Sequence, residues 1–403
     1  MSSPKDTTSL RIAYYLVTDI QHIPPVIRLI PYLGGIIITK NRTIYNHLLN
    51  KYATIRIPIF FAKNPNHARK ILIKNRIRLV LYPGYNSLLI GKSVQIFHGG
   101  LSDKNYVESI LVTLYNLILF PGEKTKDKVE KSGYLRFVPN WEIVGYPKFD
   151  PLINNTLTIK PTFNNERKTI LYAPTWIFNP ERSPIVKFSD YGESSVNIWS
   201  KQIIKALYKD YNLIIKYHSN LERKTADIYE QIDLLIKELG AEMNVVTKID
   251  DNILPYMYQA DLLISDISTA CYEWFHFDKP IIFANPSPDH YLPSDDIGSN
   301  TYAWQAGDVI NKEEDILRLV KENLQNDKFK VKRNILFQYT IFKPNGNATK
   351  RQADAIIKYY NRFSDRPYFL LVFQTWLWGK TRKAIIKIIN LYYHWFRKDK
   401  IGK

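Results

Sequence analysis

Two histidines stand directly after apolar runs that read as strands, His98 in SVQIFHGGLSDK and His218 in NLIIKYHSN. An imidazole at the end of a strand suits general-base work near neutral pH, or the binding of a phosphate when protonated. Gly99 and Gly100 follow His98, and their lack of side chains lets a ligand come close to the backbone. Lys216 precedes His218 by two residues, on the same side of its strand. Either histidine alone reads equally well as a structural residue, but two facing one cleft from different domains would supply a base and a phosphate-binding cation. A third segment, DLLISDISTACYEW, puts Asp266, Ser268 and Thr269 between a strand and a helical pattern. Hydroxyls and free N–H groups at a helix start bind anions without metal, and the same residues are ordinary N-caps. Glu273, one turn further on, is placed to meet a ribose hydroxyl or simply to suit the helix dipole.

These residues need a scaffold that turns strand ends toward one another. From Arg11 to about Asp150, β-rich runs such as RIAYYLVT, GIIIT and RLVLYPG alternate with helical stretches, the pattern of a parallel sheet flanked by helices. A polar connection, NNTLTIKPTFNNERK, precedes a second series that starts at TILYAPTW. The expectation is two successive α/β domains, residues 1–150 and 151–365, with a cleft between them where ligands bind beyond the carboxyl ends of the strands. Residues 366–403 form a separate tail. There YFLLVFQTWLW leads into a stretch in which Ile385, Ile386, Ile389 and Tyr393 share one helical side, away from Lys380, Lys383 and Lys387. A basic, aromatic segment over 368–398 fits an interfacial helix on an anionic membrane, with Arg397 and Lys398 among its charges. The alternative is a helix that packs across both domains.

The formal net charge of +18 favours phosphate-rich substrates, anionic lipid or nucleic acid. No nucleic-acid-binding pattern accompanies it, so nucleic acid is not expected as a partner. The single cysteine, Cys271, sits in an apolar run and reads as structural. The opening MSSPKDTTSLR lacks the features of a signal peptide, and no run of about 20 apolar residues occurs. A cytoplasmic protein, peripheral at the inner face of the membrane, is the expectation. No metal signature, Walker motif or GxGxxG is present, so no metal or further cofactor is expected.

Five segments in order resemble motifs of the CDP-glycerol glycerophosphotransferase family, the teichoic acid primases and polymerases: FHGG with Lys104, VGYPKFD, ILYAPTW, LLISDISTACYEWFHFDKPIIF and NGNATKR. Gly100 stands where the family's HGT-type motif has Thr, and Ser219 where it has Pro. The resemblance implies a two-Rossmann-domain GT-B fold. It also implies attack of an acceptor hydroxyl on the β-phosphorus of a CDP-alditol, with release of CMP. Under it, His98 is the base, and His218 is the catalytic histidine of the second domain. Ser268, Thr269, Asp266, Lys216 and Arg351 bind the donor phosphates, while Pro174, Thr175 and Glu273 hold the nucleotide. Gly99, Gly100 and Lys104 lie on the acceptor side, the acceptor being lipid-linked or a polysaccharide. Two other functions compete, a GT-B glycosyltransferase using a nucleotide sugar and a non-catalytic basic protein binding membrane or nucleic acid.

Overall fold

The computed structural model describes residues 10–177, 193–218, 226–250 and 252–397; the opening MSSPKDTTS, Ser219, Lys398 and the side chains of Tyr393 and Arg397 fall outside the described part. Apolar runs such as IAYYL, IIIT, LVLY, TILYA and LLIS form strands whose residues are all buried. Strands without a polar face belong in parallel sheets covered on both sides. The first sheet holds β1 (Ile12–Leu16), β2 (Ile36–Thr39), β3 (Ile59–Phe61), β4 (Leu79–Tyr82), β5 (Lys92–Gln95), β6 (Leu117–Phe120) and β7 (Trp141–Ile143). The second holds β8 (Thr169–Ala173), β9 (Asn212–Lys216), β10 (Val245–Lys248), β11 (Leu262–Ser265), β12 (Ile281–Ala284) and β13 (Asp308–Ile310). The orders are β3-β2-β1-β4-β5-β6-β7 and β10-β9-β8-β11-β12-β13. Every pairing is parallel. This is the expected pair of Rossmann-like domains in the GT-B arrangement.

Each sheet reverses its direction of winding once, between β1 and β4 and between β8 and β11. Loops leaving adjacent strands at such a reversal run to opposite faces and leave a crevice at the carboxyl ends. The two crevices face each other. Gly99 O accepts the Thr269 hydroxyl across the gap at 3.2 Å, and Asp103 Oδ1 accepts the Tyr272 hydroxyl at 2.7 Å.

The division at residue 365 does not follow the packing. Helix Ala348–Asn361 buries Ala353, Ile356, Tyr359 and Tyr360 in the core built by β1, β2 and β4, so the chain returns to the first domain well before the tail. The return is stitched to the outward crossing. Asp150 accepts from the backbone N–H groups of Ala348 and Thr349, and Asn154 Nδ2 donates to Gly346 O.

The tail is one helix, Tyr368–Arg397, docked on the first domain rather than across both. Leu371, Thr375 and Ile386 are buried, with Ile386 against Ile110 and Leu114. A Cβ at Gly379 would stand 2.4 Å from Leu89 Cδ2, so a glycine is what lets the helix lie down here. The opposite face stays open, with Phe369 70% and Phe373 58% exposed beside exposed Trp376, Leu377, Ile385 and Ile388. Lys380, Lys383 and Lys387 are exposed with them. No helix among the described residues is long and apolar enough to cross a membrane.

Candidate active site

The turn after β5 sets His98. Phe97 adopts a left-handed φ of 48°, its N–H donating to Gln95 Oε1 at 3.0 Å, and its ring packs in the core of the first domain. Such a conformation costs a non-glycine residue about 1–3 kcal/mol and turns the next side chain out of the strand direction. A Cβ at Gly100 would meet the Phe97 ring at 2.8 Å, so this glycine serves the turn rather than a ligand. His98 Nδ1 lies 2.9 Å from Pro83 O. A carbonyl only accepts, so Nδ1 carries the proton and Nε2 keeps the free lone pair. Burial lowers the His98 pKa, with the Pro83 hydrogen bond opposing. The ring is therefore neutral at pH 7, as a base must be.

His98 opens into a cavity of about 530 Å³ between the domains. Gly99, Lys104, Pro174, Thr175, Lys216, His218, Ser268, Thr269 and Glu273 also line it. Burial pushes the His218 pKa down, with Lys104 and Lys216 adding to the effect and Asp19 opposing it. Ser268 caps helix Thr269–Trp274, its hydroxyl accepting from Ala270 N at 3.2 Å. The N-cap and cavity readings of this residue thus hold together.

Lys104 differs from the acceptor-side expectation. Its ammonium crosses the gap to donate to Thr175 Oγ1 at 2.6 Å and lies 5.1 Å from the Trp176 ring centroid, both on the second domain. It is 2% exposed, and among the described residues no carboxylate is within ion-pairing reach. Burial lowers its pKa to about 8, with Asp266 opposing. Lys216 instead donates to the carbonyls of Tyr217 and Asp250 at 2.9 Å and sits 3.7 Å from the Asp250 carboxylate. Of these two cavity lysines, Lys104 is thus the one more in need of an anion.

Two expected phosphate ligands lie elsewhere. Asp266 is buried behind the cavity and accepts from Thr175 N at 2.9 Å, Ser195 N at 2.8 Å and Ser195 Oγ at 2.8 Å, so it organises loops instead of meeting an anion that would repel it. Arg351 turns to the domain crossing, where it donates to Val144 O, Lys343 O and Asn345 Oδ1. Glu273 lines the cavity, yet both its oxygens lie 2.8 Å from Lys148 Nζ, and Tyr146 donates to one at 2.5 Å. Its role as a ribose ligand gives way to an ion pair between the domains. Cys271 is buried, with its thiol pKa pushed up to about 12, in keeping with a structural role.

Trp176 closes the ILYAPTW motif, but several other lining residues carry no motif: Thr18, Asp19 and His22 after β1, and Tyr85 and Asn86 after β4. They follow the strands that flank the first reversal, so the strand-end rule that found His98 would have found them. The TDIQHIPP segment reads as a mere connection because its prolines interrupt the pattern.

The profile of the CDP-glycerol:poly(glycerophosphate) glycerophosphotransferase family matches residues 138–358, more than half of the chain. The chain belongs to that family. The glycerophosphotransferase match includes His218, Ser268 and Thr269, whereas His98 and Lys104 precede it. The teichoic acid glycerol-phosphate primase of Bacillus subtilis is 30% identical over 144 residues, 35% of this chain and 32% of that protein. The teichoic acid poly(ribitol-phosphate) polymerase of Bacillus spizizenii is 22% identical over 198 residues, 48% of this chain and 28% of that protein. The matches therefore span about a third of these relatives' own length. Among solved structures, the wall teichoic acid polymerase TagF superimposes with a TM-score of 0.57 at 14% identity, covering 90% of this chain and 92% of that one. MnaA of S. aureus, solved with UDP, gives 0.56 at 14% identity, covering 88% and 98%. At such identity both speak for the fold alone.

Proposed function

We propose that this glycerophosphotransferase moves an alditol phosphate, glycerol- or ribitol-phosphate-like, from a CDP-linked donor to an acceptor hydroxyl in the synthesis of a cell-surface polymer. The observation that carries this is His98, with its free Nε2, sharing one interdomain cavity with the buried ammonium of Lys104, which has no carboxylate in reach among the described residues. Nε2 takes the proton as the acceptor oxygen bonds to the β-phosphorus of the donor. The bond from that phosphorus to the bridging oxygen breaks, and CMP leaves with the electron pair. Lys104, together with the Ser268 and Thr269 hydroxyls and His218, faces the charge that builds on the phosphates. Fixed charges and donors in a site closed to water lower the barrier without rearranging during the reaction. His98, Gly99 and the β1 and β4 loops bound the acceptor side. Pro174, Thr175 and Trp176 bound the nucleotide.

The open face of the tail helix supports a peripheral site of action at the inner surface of the cell membrane, on a lipid-linked or polysaccharide acceptor. Its aromatic and aliphatic residues match the headgroup boundary, and its lysines match anionic lipid, each contributing about 1 kcal/mol near the surface. The deciding experiment incubates the protein with CDP-glycerol, CDP-ribitol and UDP-glucose and follows nucleotide release. CMP from a CDP-alditol supports the reading; UDP alone would point to glycosyl transfer, and release of neither would overturn it.

A further inference from the structure

The cavity contains a third imidazole that the motifs do not mark. His22 closes the turn after β1, and its ring lies against that of His98 with centroids 4.2 Å apart and planes tilted by 42°. Its setting is built. Thr18 Oγ1 stands 3.3 Å from Nδ1 and 3.4 Å from Nε2 of the ring, and Asp19 caps the turn by accepting from Gln21 N at 3.1 Å. Gly84 presses from another side: a Cβ there would stand 2.6 Å from His22 Cε1, so no larger residue fits beside this ring. The carbonyl of neighbouring Pro83 is the one that fixes the tautomer of His98. One turn, Pro83 and Gly84, therefore sets both imidazoles.

We propose that His22 is a positioning residue for His98, walling one face of its ring so that the free Nε2 points at the acceptor hydroxyl in a water-poor setting. The proposal rests on the reading of His98 as the base. Burial keeps the His22 pKa well below its ordinary value, the nearby His98 adds to this, and Asp19 opposes it. His98, whose Nδ1 proton is held by the Pro83 carbonyl, is the ring whose free Nε2 takes the proton, and His22 stands beside it as a wall. The charged and titratable groups around the pair are Asp19 on the same loop, His218 after β9, and Lys148 with Glu273 at the domain contact. Lys104 and Lys216 act through His218. With His22 removed, water reaches the exposed face, the charged form of His98 is better solvated, and its pKa climbs.

The test follows the histidine ring protons of the full chain by NMR across pH, with a His98→Gln spectrum to identify the His98 signal. His22→Ala should raise the His98 midpoint by about one pH unit. His22→Phe, which keeps a ring in place, should leave it nearer the wild-type position. In CMP release from CDP-glycerol, His22→Ala should lower kcat about 10–100-fold with little change in donor KM, as a misplaced base does, and His22→Phe should recover part of the loss. Gly84→Ala, which pushes on the ring, should lower kcat alone but add nothing in the His22→Ala background. An unmoved His98 midpoint in His22→Ala, or a Gly84→Ala effect that persists without His22, overturns the proposal. If His22→Ala does not fold by circular dichroism, the Phe variant and Gly84→Ala carry the same comparison. A wild-type protein that releases no CMP overturns the reaction assigned above, while the titration still decides whether the two rings are coupled.

Discussion

Replacing Lys104 by Met should make the protein more stable and worse at holding its donor. A lysine pKa lowered from 10.5 to about 8 corresponds to about 3 kcal/mol of unfavourable charge burial at pH 7. Methionine keeps most of the volume and removes the charge, at the loss of the charged bond to Thr175 Oγ1, worth about 1.5–3 kcal/mol. The empty protein should therefore gain about 1 kcal/mol in urea unfolding at pH 7. The pH dependence has a definite sign. Below pH 8 both folded and unfolded chains hold the Lys104 proton and the full penalty applies; from about 8 to 10.5 the folded chain sheds it first, so stability from this group rises with pH. Lys104→Met should lack that rise. Binding is the other half, since a charged hydrogen bond to phosphate contributes about 1.5–3 kcal/mol, so the Kd for CDP in calorimetry should rise about 10–100-fold. Near pH 8, CDP binding to the wild type should also take up a proton, visible as a buffer-dependent heat. A Lys104→Met protein that is less stable at pH 7 and binds CDP as tightly as the wild type would refute the argument.

Three further outcomes follow from the geometry. His98→Ala should lower CMP release by about 10²–10⁴ while CDP binding stays near normal, and near-normal turnover in a folded variant would return His98 to a structural role. Lys148→Met leaves the Glu273 carboxylate, 3% exposed, without its cation, and should cost about 3–5 kcal/mol in urea unfolding, part of which Glu273→Gln in the same chain restores. Phe373→Asp with Trp376→Asp should abolish co-sedimentation with anionic vesicles while leaving the thermal midpoint unchanged, because both side chains are exposed; binding that survives would remove the tail face as the anchor.

What was legible in the sequence was what local pattern encodes. His98 and His218 follow apolar runs, and parallel strands deliver their last residues to a common edge, so both histidines reach the cavity. His22 stands outside every motif and Lys148 inside VGYPKFD without an assigned role, because their importance lies in partners from other loops, His98 and Glu273, which no spacing reveals. Asp266 and Arg351 stand in recognisable motifs, but a motif says that a residue matters, not whether its partner is a ligand or the backbone. The allegiance of helix Ala348–Asn361 was illegible for a similar reason: its apolar stripe shows that it packs on a core, and either core would satisfy it. The tail's split character, half docked and half open, fell between the two alternatives that its composition suggested.

The return of the chain to the first domain has a mechanical consequence. The second domain is tethered at both ends, and the tethers are fastened side by side through Asp150, Asn154 and Arg351. Two adjacent attachments restrict how the second domain can twist or slide against the first more than a single linker would. Separating the domains at the cavity would part Lys104 from Thr175 and Thr269 from Gly99 while the bonds at Asp150 and Asn154 could stay made. The tail helix is fixed to the other body. Whatever surface grips the tail thus holds the body that carries His98 and His22, and the second domain hangs from that frame by two neighbouring attachments.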